Sequence, residues 1–236
     1  MHYMNAQNSF LETQLKYERV KSASIKYDKT LSQIFDKHNL TFPTKNIYIR
    51  IFKKERQLEV WASDNLIYTL IKTYSFTAFS GKLGPKQKEG DLQIPEGFYL
   101  LEKFNPASNF YLSMKVNYPN NADKIRNKLQ PKIGGDIFIH GSNKTIGCVP
   151  IGDENIAELY WLCAKQYSVN TKIPIHIFPC KMEKKEVNSL VEKNPQWENF
   201  WKSLQPMYLF FQSTKMLGEV TGTDNTGNYQ LAIPWD

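Results

Sequence analysis

The sequence predicts an α+β fold, a strand-built core with helices at both ends, and three stretches carry that expectation. The first segment, from about Ser9 to His38, sets Val20, Ser24, Tyr27, Leu31, Ile34 and His38 at steps of three and four, a helical stripe. From Asn46 the pattern becomes strand-like, Ile47, Ile49 and Ile51 alternating with Tyr48, Arg50 and Phe52. Beyond Cys148 helical spacing returns, with Asp153 as a candidate N-cap and Ile156, Leu159, Tyr160 and Cys163 at i, i+3, i+4 and i+7.

The elements follow in chain order. "LTFP" ends the first helix, because the residue before a proline is pushed out of the helical region. "LEVWAS" and "IYTLIKTYSFTAF" continue the strands. "SGKLGPKQKEGDLQIPEG" gathers glycines and prolines into a long loop, a kind of segment that commonly carries function inside compact domains. "FYLLEKF" and "FYLSMKV" read as strands, and "NYPNNADKIRNKLQPKIGG" as a polar connection. After the helix at Asp153, which turns Cys163 toward the core, "KIPIHIF" alternates as a strand. "NPQWENFWKSL" opens a helix with an Asn cap and Pro at the first position, its apolar face built from Trp197, Phe200, Trp201 and Leu204. "EVTGTDNTGNYQLAI" reads as a hairpin around Gly and Asn turns. The expected organisation is an N-terminal helical segment (1–45), a β-rich domain (46–182) and a helical and hairpin extension (183–236).

Composition sets the outer bounds. At 236 residues, with 41% hydrophobic and 14% aromatic side chains, the chain can bury a full core. The formal charge of +7 comes from 30 basic residues spread among 23 acids, which reads as a solvated surface; no nucleic-acid signature accompanies it, and no nucleic-acid partner is expected. No run reaches the roughly 18 apolar residues of a membrane span, and "MHYMNAQNSF" lacks the apolar core of a signal peptide. Cys148, Cys163 and Cys180 form no CxxC pair, so neither a zinc ribbon nor a disulfide framework is indicated. HExxH, GxSxG and Walker patterns are missing, and no metal or cofactor is expected.

One constellation stands out. "DIFIH" reads as a strand ending in His140, "GSNKTIG" as a glycine-bounded turn, and Cys148 follows Gly147, so a hairpin-like reversal would bring imidazole and thiol together. A histidine beside a cysteine can take its proton and make a thiolate nucleophile. Gly147 leaves room for an acyl carbonyl to approach main-chain N–H groups, with the Cys148 amide as one oxyanion-hole donor. The competing reading makes His140 an ordinary strand-end residue and Cys148 a small buried hydrophobe. His140 is expected outside the alternating core, His176 in "IPIHIF" on the polar phase of its strand in a structural role, and His2 and His38 within the N-terminal segments.

"IFIHG" followed by "TIGCVP" resembles the active-site segment of the L,D-transpeptidase catalytic domain, the YkuD-type fold. "IYIRIFKKERQLEVWAS", the long loop, "IPIHIFP" and the tryptophan-rich tail resemble its YafK-like branch in order and spacing, across nearly the whole chain. The resemblance implies an enzyme whose cysteine attacks a peptidoglycan stem peptide next to diaminopimelate, forms a thioester, and passes the acyl group to an amine or to water. It implies Cys148 as nucleophile, His140 as base and Gly147 at the oxyanion hole, with Gly141, Ser142, Thr145 and Ile146 near the substrate. It implies a periplasmic or cell-envelope setting and peptidoglycan stem peptides, with wall-linked lipoprotein, as partners. Three positions depart from the family pattern: Ile146 stands at a usual histidine, Pro150 at a usual Asn or Arg, and Ile94, Pro95, Glu96, Gly97 at a Thr-Pro-x-Gly motif. The branch includes an enzyme that releases lipoprotein from peptidoglycan, and Ile146 and Pro150 leave fewer groups to orient an amine acceptor, so hydrolysis is favoured over cross-linking. Lys86 or Glu89 of the long loop are candidates to replace the missing histidine, and a catalytically inactive wall-binding relative is the alternative.

Overall fold

The computed structural model describes residues 2–233. Two helices, α1 (His2–Leu15) and α2 (Glu18–Lys37), precede the sheet. The single helical segment expected there is broken at Tyr17, whose backbone is extended at φ −89° and ψ 125°. Strands β1 (Asn46–Phe52), β2 (Gln57–Ser63), β3 (Thr69–Ser75), β4 (Gly97–Asn105), β5 (Ser113–Val116), β6 (Phe138–His140), β7 (Val149–Pro150) and β8 (Pro174–Phe178) form one sheet in the order β3-β2-β1-β8-β4-β5-β6-β7. The β1–β8 and β6–β7 pairs are parallel and the other neighbours antiparallel.

The strand alternation seen in the sequence separates two apolar faces rather than an inside from an outside. Ile47, Ile49 and Ile51 of β1 and Ile175 and Ile177 of β8 join the main cluster with Val20, Ala23, Leu31 and Phe35 of α2. Ile156, Leu159, Tyr160 and Cys163 of α4 (Asp153–Tyr167) complete it, as their spacing predicts. On the other face Phe52, Phe98 and Phe178 meet Trp201, Leu204, Met207 and Tyr208 of α6 (Glu198–Thr214). Both faces of the central strands are therefore covered, and even Arg50 is only 3% exposed, paired to Glu59 with the guanidinium 4.6 Å from the Phe211 ring. His176 is likewise buried, not on a polar phase: Tyr48 Oη lies 2.8 Å from its Nδ1, and desolvation pushes its pKa down to about 3.

Other departures have local causes. A short helix α3 (Asn121–Arg126) sits in the connection read as irregular, started by a reciprocal capping box of Asn120 and Asp123. Helix α5 (Lys184–Lys193), unread in the sequence, is mostly polar and anchored by buried Val187 and Leu190. Pro195–Trp197 forms a 3₁₀ turn, so α6 starts three residues later than its Pro signal suggests, and the tail pairs as β9 (Glu219–Thr223) with β10 (Tyr229–Ala232). Asp153 does not cap α4. Gly152 holds that place with φ +83° and ψ 159°, a conformation that excludes most side chains, and the Asp153 carboxylate instead accepts the Ser142 N–H at 2.6 Å.

Candidate active site

β6 and β7 carry the predicted pair, but not through a hairpin. β7 runs parallel to β6, with Ile139 opposite Val149 and His140 opposite Pro150, so Cys148 falls level with Phe138. Paired side chains in a parallel ladder point to the same face, and that face alternates residue by residue. Ile139 and Val149 point into the main cluster, which puts His140 and Cys148 together on the opposite face, offset by two residues along the strands. The eight-residue connection from Gly141 to Cys148 makes this possible through loop geometry, with Ser142 at φ +65° and Gly147 at φ +126°. At Gly147 a side chain would also crowd the long loop, since a Cβ would lie 3.0 Å from the Gln93 carbonyl oxygen. That glycine admits the loop, which is a further reason for it beside the approach of an acyl carbonyl.

His140 is 1% exposed, more enclosed than a strand-end position suggests. Its Nδ1 lies 2.5 Å from the Gly141 carbonyl oxygen. A carbonyl only accepts, so Nδ1 carries the proton and Nε2 keeps its lone pair, the tautomer a general base needs. The Phe110 ring covers the imidazole at 4.7 Å between centroids, and burial holds the imidazole pKa below its ordinary value, opposed by the Gly141 carbonyl. Cys148 Sγ donates to the Asp136 carbonyl at 3.6 Å and receives the Phe138 N–H at 3.4 Å. Burial raises the thiol pKa, while the Phe138 N–H and the Lys86 ammonium oppose the rise and Asp136 adds to it. Burial thus disfavours the charged form of each group, the thiolate as well as the imidazolium.

Thr145 and Ile146 flank the thiol differently. Thr145 Oγ1 accepts the N–H groups of Cys148 (2.9 Å) and Gly147 (3.2 Å) and donates to the Cys148 carbonyl (2.8 Å). Both expected oxyanion-hole donors are therefore aimed at one point, and the hydroxyl oxygen sits there. Ile146 is 79% exposed and offers no polar group. Gly141 and Ser142 lie on the histidine side: the Gly141 N–H meets the Phe110 and Leu112 carbonyls, and Thr77 Oγ1 donates to Ser142 O. A cleft of about 630 Å³ opens there, lined by Thr77, Asn109, Phe110, Ser142 and Asp153 among others; it approaches His140 through Phe110 and is not lined by Cys148. Lys86 of the long loop is buried and paired to Asp91, and its charge reaches the sulfur. Sequence reasoning missed Phe110, Gln93 and the hydroxyl role of Thr145; Phe110 lies within a run read as strand.

The three thiols differ sharply. Cys163 and Cys180 are buried, with the Cys180 pKa pushed up to about 12 and that of Cys163 raised further, whereas Cys148 is half-buried. A thiol-reactive probe at neutral pH is therefore expected to label Cys148 first, as peptide mass mapping would show; faster labelling of Cys163 or Cys180 in the folded chain would contradict it.

The L,D-transpeptidase catalytic domain model, YkuD, matches residues 46–177, and the chain belongs to that family. It is 30% identical over 191 residues to "Putative L,D-transpeptidase YafK" of Escherichia coli strain K12, covering 80% of this chain and 74% of that protein. Among solved structures it is similar to the helical cell shape determining protein Pgp2 from Campylobacter jejuni, with 22% identity, a TM-score of 0.47, and coverage of 76% of this chain and 66% of that one. Bd1075 of Bdellovibrio bacteriovorus is similar at 24% identity and a TM-score of 0.43, covering 70% and 62%. The chain thus spans just under two thirds of each of these two solved chains. No helix among the described residues is long and apolar enough to cross a membrane.

Proposed function

We propose that this chain is a cysteine acyl-transfer enzyme of the cell envelope, on the periplasmic side, that acts on peptidoglycan stem peptides at diaminopimelate and releases a wall-linked peptide or lipoprotein by hydrolysis. The observation that carries the reading is the placement of Cys148 and His140 on one face of adjacent parallel strands, with the imidazole tautomer set by Gly141 O. His140 Nε2 takes the Cys148 proton as the sulfur attacks the scissile carbonyl. The imidazolium returns that proton to the leaving amine, and a thioester remains. Water attacks the thioester with Nε2 again as base, and the thiol is regenerated. Ile146 and Pro150 supply no donor to orient an amine in place of that water, which supports hydrolysis over transfer.

The test gives the purified protein peptidoglycan bearing a diaminopimelate-linked lipoprotein peptide, together with tetrapeptide fragments and a free amine acceptor. Release of the linked peptide is the expected main product by mass. New diaminopimelate cross-links without release would replace hydrolysis by transpeptidation. Wall binding without either product would identify an inactive relative.

A further inference from the structure

We propose that Arg19 of α2, outside the matched catalytic domain, is a positioning residue for His140, acting through the loop that carries Phe110. The proposal rests on the reading of His140 as the base. One guanidinium nitrogen of Arg19, Nη1, donates to two carbonyls of that loop, Ser108 O at 2.7 Å and Tyr111 O at 2.6 Å, and the guanidinium lies 5.4 Å from the Tyr111 ring. Charge-assisted bonds of this length are the stronger kind.

Between the two anchored carbonyls lies Phe110, and the loop needs anchoring. Tyr111 is held at φ +70°, a region that side-chain-bearing residues rarely adopt, and Ser108 Oγ receives the Phe110 N–H at 3.1 Å. Phe110 then touches the candidate base and its neighbour: its ring lies tilted against the His140 imidazole, and its carbonyl receives the Gly141 N–H at 3.1 Å. Gly141 is the residue whose own carbonyl fixes the Nδ1 proton. A displacement of this loop would therefore uncover the ring and loosen the residue that sets its tautomer. α2 is itself held on α4 by Trp161 Nε1 donating to Asp28 and by Tyr27 donating to Glu154, so Arg19 projects from a packed support.

The experiment compares the parent with Arg19→Ala, Arg19→Lys and Phe110→Ala in the full chain. Two readouts are taken: steady-state kinetics of peptide release, and the His140 ring resonance followed through a pH titration after assignment by His140→Gln. Because burial holds this imidazole low, uncovering it should move its titration toward the ordinary value of 6.5. For Arg19→Ala the expected result is that upward movement together with a kcat lowered about tenfold, a change of about 1.4 kcal/mol in the barrier, with KM little altered. Arg19→Lys, which keeps one charged donor, should recover part of both. Phe110→Ala retains Arg19 and should reproduce the titration shift, which checks the link through the ring, while Arg19→Lys, expected to shift part of the way, carries the test of Arg19 if Arg19→Ala does not fold. An unchanged His140 titration in the folded Arg19→Ala or Phe110→Ala protein would overturn the proposal, as would a rise in KM with kcat unchanged. If the parent releases no peptide, the reading of the site fails, and the ring titration still decides whether Arg19 holds the loop.

Discussion

Cys148→Ala is expected to remove release of wall-linked peptide altogether, a loss on the order of 10⁴-fold or more, with the fold intact. The sulfur's hydrogen-bond partners among the described residues are two main-chain groups, Phe138 N–H and Asp136 O, and a thiol is a weak donor and a weak acceptor. Removing it therefore costs little packing, while no neighbouring side chain can replace it as a nucleophile. His140→Ala should lose about 10²- to 10⁴-fold, the scale of a missing general base. Since His140 is enclosed, the alanine variant should also lose stability, and His140→Gln, which fills most of the space, separates the two effects. Mass analysis of released peptide, beside far-ultraviolet circular dichroism of each variant, checks this. Substantial release by folded Cys148→Ala would remove the thiol from the mechanism.

Glu96→Ala is expected to destabilise the protein by about 3–5 kcal/mol, the usual cost of leaving one partner of a buried ion pair uncompensated. Glu96 and Lys53 are both fully buried and pair at 2.8 Å. Glu96 Oε1 also receives the Gly84 N–H, and its Oε2 receives the Trp201 indole N–H at 2.7 Å. Lys53 Nζ donates as well to Gly84 O and Ile94 O, so the residue just after β1, the long loop and α6 meet at these two charges. In the alanine variant the ammonium keeps two carbonyls and loses its counter-ion, and the indole loses its acceptor. Urea unfolding should give the free-energy loss, and calorimetry a melting point lower by roughly 6–20 °C. Glu96→Gln should fall between, keeping an acceptor for Trp201 without the charge. A loss below about 1 kcal/mol in the alanine variant would mean that the site relaxes and admits water.

These two sites differ in how far they can be read from residues alone. The candidate pair, His140 and Cys148, was legible because both members sit in one 15-residue stretch whose glycines mark a tight connection. Its parallel geometry was not legible, since strand direction is decided by which edge the chain returns to. Ile156, Leu159, Tyr160 and Cys163 declared α4 because one neighbouring layer buries one stripe. Tyr48, Arg50 and Phe52 gave no comparable sign of burial, because what covers them is α6, some 150 residues later in the sequence. Glu96 was noticed only as the variable position of a motif, and its counter-ion, Lys53, lies 43 residues away in the sequence. The same holds for Phe110 over His140: contacts fixed by tertiary arrival leave no periodic trace.

The Thr145 hydroxyl bears on selectivity between the ground state and the transition state. A substrate carbonyl that approaches the Gly147 and Cys148 amides finds them already bonded to a neutral oxygen. Exchanging that oxygen for another neutral one leaves the count of hydrogen bonds unchanged, so the intact substrate gains little there. Once the sulfur has added and the oxygen carries negative charge, the same two donors bind it far more strongly than they bind a hydroxyl. The resident side chain would thus act as an internal competitor that the resting substrate can only match and the tetrahedral intermediate can displace. The cost of displacing the hydroxyl is the same for both, but only the charged oxygen binds the donors strongly enough to leave a net gain, which is the condition for binding energy to appear in kcat rather than in KM.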